Sequence, residues 1–372
     1  MKGLAELQAV LGSSVEATPA AVVKEKEPKK KDEPVKILTK EDKFKELANL
    51  NKALNKQFDS TQSLVRLGDR VGIPIPSIST GLPSIDEDVL GCGGIPRGRV
   101  VEIYGPASSG KTTLCLHIIA REQQNTDNLC AIVDAEHALD PSYAASLGVN
   151  VDELLVSQPS SGEDALETVE ALVDSKLVSI IIVDSVSALV PRAELAGEMG
   201  DAQMGLQARL MSQACRKLIG KAAVNNVTII FINQLREAIG VMFGNPERTS
   251  GGKALQFYAS VRLDVRRKDS IGPKDNPTGH VLKVKAAKNK CGVPFRETLV
   301  NLIYGEGLDT FADTVSYCVK TGIIEQSGAS YSYEGQKIGY GLENTINGLR
   351  ENKELFDKIA LTLKSKPATL EQ

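Results

Sequence analysis

Apolar residues along this chain fall into two rhythms. Near-continuous β-branched runs occur at VVEIY (100–104), LCAIVDA (129–135), VSIIIVDS (178–185) and NVTIIFIN (226–233). Parallel strands read this way when helices cover both faces of their sheet. Between the runs the spacing becomes helical. Leu114, Cys115, Ile118 and Ile119 recur after Thr112, and Leu206, Leu210, Met211, Ala214 and Leu218 recur between 201 and 220. From about residue 76, strand–helix alternation predicts an α/β core with a mostly parallel central sheet. SVRLDVRR (260–267) and HVLKVKAAK (280–288) alternate with period two, which predicts an antiparallel pair joined by DSIGPKDNPTG. From about 307 the pattern predicts a helix near 308–320, the hairpin SYSYEGQKIGYG and a helix near 342–363, together a small C-terminal domain.

The first 36 residues stand apart. Leu4, Leu7 and Leu11 make a short amphipathic pattern, and KEKEPKKKDEP reads as a solvated linker. The terminal pattern is either a frayed end or a tethered peptide for a partner's groove. A helix begins at Thr39, where Thr39 and Asp42 have capping-box spacing and Phe44, Leu47, Leu54 and Phe58 form an apolar stripe. The expected organisation is an extension over 1–36, an N-terminal helical segment over 37–75, a core over 76–306 and a small domain over 307–372.

Composition narrows the function classes. Forty-two per cent of the 372 residues are apolar, enough for a full core. No apolar run approaches the roughly 20 residues of a membrane span. The net charge of −3 offers no global basic field, so polyanion binding must come from local clusters. The 6 cysteines are scattered without a C-x-x-C pair and read as reduced thiols rather than a zinc site. No secretory h-region appears, and the first 35 residues lack arginine, so the cytoplasm is the expected compartment.

GPASSGKT, from Gly105 through Pro106, Ala107, Ser108, Ser109, Gly110 and Lys111 to Thr112, follows one predicted strand and opens one predicted helix. That context defines a P-loop. Its glycines let backbone N–H groups turn toward phosphate oxygens, and the helix N-terminus adds positive potential. Lys111 would reach the β- and γ-phosphates of ATP, and Thr112 would hold Mg²⁺. SIIIVDS delivers Asp184 at a strand end, a second Mg²⁺ residue of the Walker B kind. Hydrolysis also needs a carboxylate to activate water. Asp134 near the end of the 129–135 strand, and Glu136 and Asp140 after it, compete for that role. Asn233 and Gln234 end the next strand, where an amide would sense the γ-phosphate or simply bond to the loop. That loop, GVMFGNPERTSGG (240–252), sets Val241, Met242 and Phe243 among glycines and polar residues.

Taken together, GPASSGKTT, DAEHALDPSYAASLGV, IIIVDSVSALVPRAEL, GLQARLMSQACRKL, FINQLREAIGVMFGNPE, GGKALQFYASVRLDVRR, KNKCGVPF and YGEG resemble the bacterial RecA recombinase family, in order, from about residue 40 to about 365. The resemblance implies a RecA-type P-loop NTPase core with an N-terminal polymerisation segment and a small α/β C-terminal domain. It implies Glu136 as the carboxylate that activates water and Gln234 as the γ-phosphate reader coupled to the adjoining loop. Thr113 completes the phosphate segment. Asp140 and Tyr143 would hold and stack on adenine. Lys288 and Lys290 would reach the ATP of a neighbouring subunit, and Phe257 would lie in the filament interface. Residues 194–204, ending at Met204, and 235–250 would be the two DNA loops. Apolar side chains there would wedge between bases. Arg209, Arg216, Arg236 and the backbone near Gly244, Asn245, Gly251 and Gly252 would take phosphates.

The implied activity is DNA-stimulated ATP hydrolysis by a filament that forms on single-stranded DNA, pairs it with homologous duplex and exchanges strands. Self-assembly, both DNA forms, a self-cleaving repressor and a partner of the N-terminal peptide are the implied partners. A ring helicase on the same core is the rival, but it gives no reason for GVMFGNPERTSGG or the KNK pair. A filament serving mainly as a repressor-cleavage platform is the other alternative. Departures from the family pattern are Ala107 in place of the usual Glu, one extra residue in SIDEDVLGCGG, the 1–36 extension, and an end, LTLKSKPATLEQ, without an acidic tail.

Overall fold

The computed structural model describes residues 39–57, 64, 67–70, 73–198, 205–237 and 247–365. The 1–36 extension and Phe58 lie outside them. Helix α1 (Lys40–Gln57) belongs to a unit of its own that ends at Gly72. Its start follows the capping spacing: the Asp42 amide donates to Thr39 Oγ1 at 3.2 Å, and the Thr39 hydroxyl donates to the Asp42 carboxylate at 2.7 Å. No α1 residue is buried, and Phe44 and Leu47 of the apolar stripe stay exposed.

The second unit begins at Ile73. Its main sheet comprises β1 (Val100–Gly105), β2 (Leu129–Asp134), β3 (Leu154–Ser157), β4 (Val178–Asp184), β5 (Thr228–Glu237), β6 (Glu247–Thr249), β7 (Val261–Ile271), β8 (Gly279–Asn289), β9 (Glu297–Ile303) and β10 (Gly307–Leu308). Among the described residues the order is β10-β9-β8-β7-β1-β5-β4-β2-β3, with β6 paired to β5. The stretch from β7 to β3 is parallel throughout, and β8, β9 and β10 continue it antiparallel.

Crossover helices explain the parallel part: α2 (Lys111–Asn125), α3 (Pro141–Ser146), α4 (Gly162–Ser175), then the short α5 (Arg192–Leu195) and α6 (Leu206–Asn225), with the short α7 (Ala254–Tyr258) before β7. The β-branched runs divide by parity between two cores, as the period of a strand requires. Ile103, Ile132, Ile182 and Ile232 face the α2 side, while Ala131, Val133, Ile181 and Phe231 face α4 and α6.

Several elements depart from the sequence expectation. β5 does not end at Asn233 but runs to Glu237, where Leu235 pairs with Thr249, Arg236 with Arg248 and Glu237 with Glu247. The ends of the expected 235–250 loop are therefore a ladder, because backbone groups at both ends satisfy one another. β3 is not among the predicted strands, whereas α4 falls where strand–helix alternation predicts a helix without marking its bounds. β3 is a short edge strand with Leu155 and Val156 exposed, so it lacks the buried apolar run that marked its neighbours. SIDEDVL winds as a π-helix (Ser84–Leu90), with the Gly91 amide reaching back to the Asp86 carbonyl at 3.1 Å.

The C-terminal part holds α8 (Thr310–Lys320), a three-stranded sheet of β11 (Glu325–Ser327), β12 (Ser330–Tyr333) and β13 (Gln336–Tyr340), then α9 (Leu342–Glu351) and α10 (Lys353–Ser365). The single helix expected near 342–363 is thus two. Asn352 leaves helical geometry at φ −106, ψ 76, and its side-chain oxygen accepts from the Leu355 amide, starting α10. Asp313 of α8 accepts from the Ser84 amide and hydroxyl, and Lys320 pairs with Asp88 at 2.7 Å, so this part is fastened to the π-helix.

Candidate active site

Adjacent parallel strands bring their C-terminal ends to one edge, where α/β sheets bind ligands. Gly105 of β1 stands opposite Gln234 of β5, and Asp134 of β2 opposite Asp184 of β4. The P-loop leaves β1 at Gly105, where an added Cβ would lie 1.9 Å from the Val265 carbonyl oxygen, so the neighbouring strand excludes any side chain. Gly110 turns into α2 at φ 90, a left-handed conformation that glycine adopts without strain. Lys111, Thr112 and Thr113 therefore open a helix whose N-terminal amides face the loop. Pro106, Ala107 and Ser108 are exposed, while Ser109 is buried. An open cavity of about 380 Å³ follows this loop, lined on its far side by Tyr143, His280, Leu302 and Tyr304.

Lys111 curls back to donate to the Pro106 carbonyl at 2.6 Å. Burial holds its ammonium below the usual lysine range, and the Asp184 and Glu136 carboxylates partly restore it. The Thr112 hydroxyl donates to Asp184 Oδ2 at 2.7 Å. Burial pushes the Asp184 carboxyl up to about 6. The Thr112 hydrogen bond opposes this most, the Glu136 and Asp134 charges add to it, and Lys111 also opposes it. A hydroxyl and a carboxylate beside a phosphate cradle are hard oxygen donors of the sort Mg²⁺ takes together with waters and substrate oxygens. Among the described residues no cluster of three or more His, Cys, Asp or Glu would hold a metal by itself.

The three acids left in competition by the sequence separate here. Asp134 is buried and accepts from the Ala138 and Leu139 amides and from Gln158 Nε2. Asp140 caps α3, accepting from the Ser142 and Tyr143 amides. Glu136 is exposed, and its Oε1 accepts from Gln234 Nε2 at 2.8 Å and from the Ser185 hydroxyl. Its backbone is set by the Asp184 carbonyl, which accepts from the Ala135 and Glu136 amides. Of the two strand-end amides, Asn233 turns inward, donating to Glu102 and to the Ser250 carbonyl, while Gln234 turns to the site.

Tyr143 also reaches the P-loop helix, its hydroxyl 3.0 Å from Thr113 Oγ1. Lys288 and Lys290 do not line the cavity. Lys288 donates to the Gln256 and Phe257 carbonyls at the end of α7, and Lys290 is exposed. Phe257 is 69% exposed. Arg209 and Arg216 lie exposed on α6, and Arg236 is exposed on β5. The Gly251 amide donates to Gln207 Oε1 at 3.1 Å, and Gln207 in turn donates to the Val186 and Leu189 carbonyls. Gly252 is exposed. Met204, Val241, Met242, Phe243, Gly244 and Asn245 lie outside the described residues. Sequence reading did not single out Ser185, Gln207, His280 or the cavity-lining role of Tyr304. Only the YGEG motif carried a signal for the last.

Fold and site together define a P-loop nucleoside triphosphatase. Its strand order and its strand-end Gln234 are joined in this chain to a second, C-terminal module. Residues 45–309 match the RecA N-terminal domain and residues 312–367 the RecA C-terminal domain. The chain is 54% identical to Protein RecA of Acidothermus cellulolyticus over 82% of its own length and 88% of that protein. It is 54% identical to Protein RecA of Syntrophus aciditrophicus (83% and 91% covered) and 52% identical to that of Mannheimia haemolytica (88% and 89%). The chain belongs to the RecA family, the DNA-dependent ATPases of homologous recombination and DNA repair. No helix among the described residues is long and apolar enough to cross a membrane.

Proposed function

We propose that this chain binds ATP with Mg²⁺ at the P-loop, assembles on single-stranded DNA and exchanges strands with a homologous duplex, hydrolysing ATP to let go. The observation that carries this reading is the hydrogen bond from Gln234 to Glu136, beside the Thr112–Asp184 pair. Lys111 and the amides of residues 105–113 hold the phosphates. Thr112 and Asp184 hold Mg²⁺, which neutralises phosphate charge when bound. Glu136 orients and deprotonates the attacking water.

Gln234 sits one residue from the β5–β6 ladder that frames the second DNA loop. A γ-phosphate oxygen competes with Glu136 for the Gln234 amide, so nucleotide state is passed to that ladder and through it to Val241, Met242 and Phe243. Arg209, Arg216 and Arg236 supply phosphate contacts along α6 and β5. Lys288, Lys290 and Phe257 serve the contact with the next copy of the chain, and residues 37–75 serve as its polymerisation segment. The division near residue 307 separates the ATPase core from the C-terminal module.

Steady-state ATP hydrolysis with and without long single-stranded DNA, at fixed salt and Mg²⁺, tests the reading. Strong stimulation is expected. Equal rates would break the link from Gln234 to the loop.

A further inference from the structure

Ser187 has no part in the chemistry assigned above. It sits in a short 3₁₀ turn, Val186–Ala188, that follows Ser185 at the end of β4. Its hydroxyl oxygen stands 2.6 Å from the Ser185 hydroxyl oxygen, a hydrogen bond in which either group could donate. Counting protons gives the direction. Ser185 has one hydroxyl proton, and an ionised carboxylate can only accept. With Glu136 ionised, as the activation of water requires, the Ser185 proton is committed to Glu136 Oε1. Ser187 is then the donor and Ser185 Oγ the acceptor. The three side chains form a relay in which every proton points toward the carboxylate.

The relay bears on one step of hydrolysis. Gln234 and Ser185 both donate to Oε1, which leaves Oε2 as the oxygen to face water. Once a phosphate oxygen takes the Gln234 amide, Ser185 is the donor that still holds the carboxylate. A hydroxyl that accepts one hydrogen bond donates the next more strongly and is less free to rotate away. Ser185 is fully buried, and Ser187 is half-buried beside it. Resting on the reading of Glu136 as the residue that activates water, we propose that Ser187 is a positioning residue for hydrolysis. Through Ser185 it holds the Glu136 carboxylate with Oε2 toward the attacking water.

Steady-state hydrolysis by the full chain, at saturating single-stranded DNA and Mg²⁺, is compared for wild type, Ser187→Ala, Ser187→Thr, Ser185→Ala and the double alanine variant. ATPγS-dependent DNA binding and thermal melts are measured alongside. Ser185→Ala is expected to lower kcat about tenfold, the size of one hydrogen bond. Ser187→Ala should lower it about threefold, since it weakens that bond without removing it. The KM for ATP, DNA binding and melting temperature should hold, because the relay acts on the carboxylate alone. Ser187→Thr keeps the hydroxyl and should recover the wild-type kcat. With Ser185 gone the relay has no path, so Ser187→Ala should add nothing to Ser185→Ala. An unchanged kcat for Ser187→Ala overturns the proposal. So does a loss that Thr does not recover, one that multiplies with the loss in Ser185→Ala, or one that appears in KM or melting temperature instead. If Ser185→Ala does not fold, Ser187→Ala against Ser187→Thr still decides. Glu136→Gln separates the relay from the reading beneath it. If that variant hydrolyses ATP as wild type does, the assignment of Glu136 fails and the relay with it; if it is inactive and Ser187→Ala matches wild type, only the relay fails.

Discussion

Arg262→Met should destabilise the core by breaking a buried ion pair from one side only. Glu102 is fully buried in the centre of β1 and accepts from two groups: Arg262 Nε on Oε2, and Asn233 Nδ2 on Oε1 at 2.9 Å. The Arg262 side chain is itself 14% exposed, and its guanidinium lies 4.5 Å from the Tyr104 ring centroid. Stranding one charge of a buried pair costs about 3–5 kcal/mol. The slight exposure of Arg262 and the surviving Asn233 bond place this case at the low end, about 3 kcal/mol. At roughly 2–4 °C per kcal/mol for a body of this size, the melting temperature should fall by about 6–12 °C. Glu102→Gln removes the charge but keeps an oxygen for Asn233. Glu102→Gln alone strands the Arg262 charge and should cost at least about 1 kcal/mol, while the double variant should lie within about 1 kcal/mol of wild type, a coupling of about 3 kcal/mol. Urea unfolding of wild type, both single variants and the double variant measures this cycle. A single variant costing under about 1 kcal/mol, or a double variant as unstable as Arg262→Met, would refute the argument.

Glu136→Gln should lower hydrolysis by about 100-fold or more while nucleotide-dependent DNA binding persists. Measuring both on one preparation decides this, and loss of DNA binding with activity intact would reverse the assignment. Gln207→Leu removes the bridge between the Gly251 amide and the Val186 and Leu189 carbonyls, a loss of about 1–3 kcal/mol of local hydrogen bonding. It should shrink the stimulation of hydrolysis by DNA much more than the basal rate, as read by the ratio of the two. His117 accepts from the Leu308 amide at 2.9 Å, and burial lowers its pKa to about 4 from 6.5. The folded state thus binds its proton less readily than the unfolded state. The contribution of neutral His117 is complete above pH 6.5 and is lost as pH falls toward 4, by up to about 3 kcal/mol. His117→Gln should flatten the urea midpoint over that window, and a slope identical to wild type would argue against it.

Much of the core was legible because its chemistry is local. β1, β2 and β4 are buried on both faces and read as continuous apolar runs. The P-loop is contiguous, and Asp184 ends its own strand. What escaped depends on partners distant in the chain. β3 is half-exposed at the sheet edge, so its apolar signal is weak. Order alone does not separate Asp134, Glu136 and Asp140, since all three lie at or just past the end of β2. What tells them apart is their partners: backbone amides claim Asp134 and Asp140, while Glu136 meets Ser185, 49 residues away in the chain. Asn233 and Gln234 looked alike, and strand parity sends one inward and the other outward. His280 read as one polar position in an alternating strand, and only the fold shows that it faces a cavity.

The arrangement behind Gln234 explains how a small change at the phosphate end would be felt at the DNA end. Asn233 Oδ1 accepts from the Gln234 amide, while its Nδ2 donates both to Glu102 and to the Ser250 carbonyl. One buried side chain therefore bonds the backbone of Gln234, the Ser250 carbonyl and the ion pair that anchors β1. Gln234 itself has a single side-chain amide facing the site, already donated to Glu136. If a phosphate oxygen takes that amide, Glu136 retains the Ser185 hydroxyl and gains freedom to address water. The β5–β6 ladder, rooted at Asn233 and Ser250, meanwhile cannot yield at its base. At the far end of the ladder Glu247 is held in turn by Arg266, whose guanidinium donates to both of its carboxylate oxygens at 2.8 and 2.6 Å. The ladder is thus held at both ends, by Arg266 at the tip and at the root by the polar network that Arg262→Met would disturb.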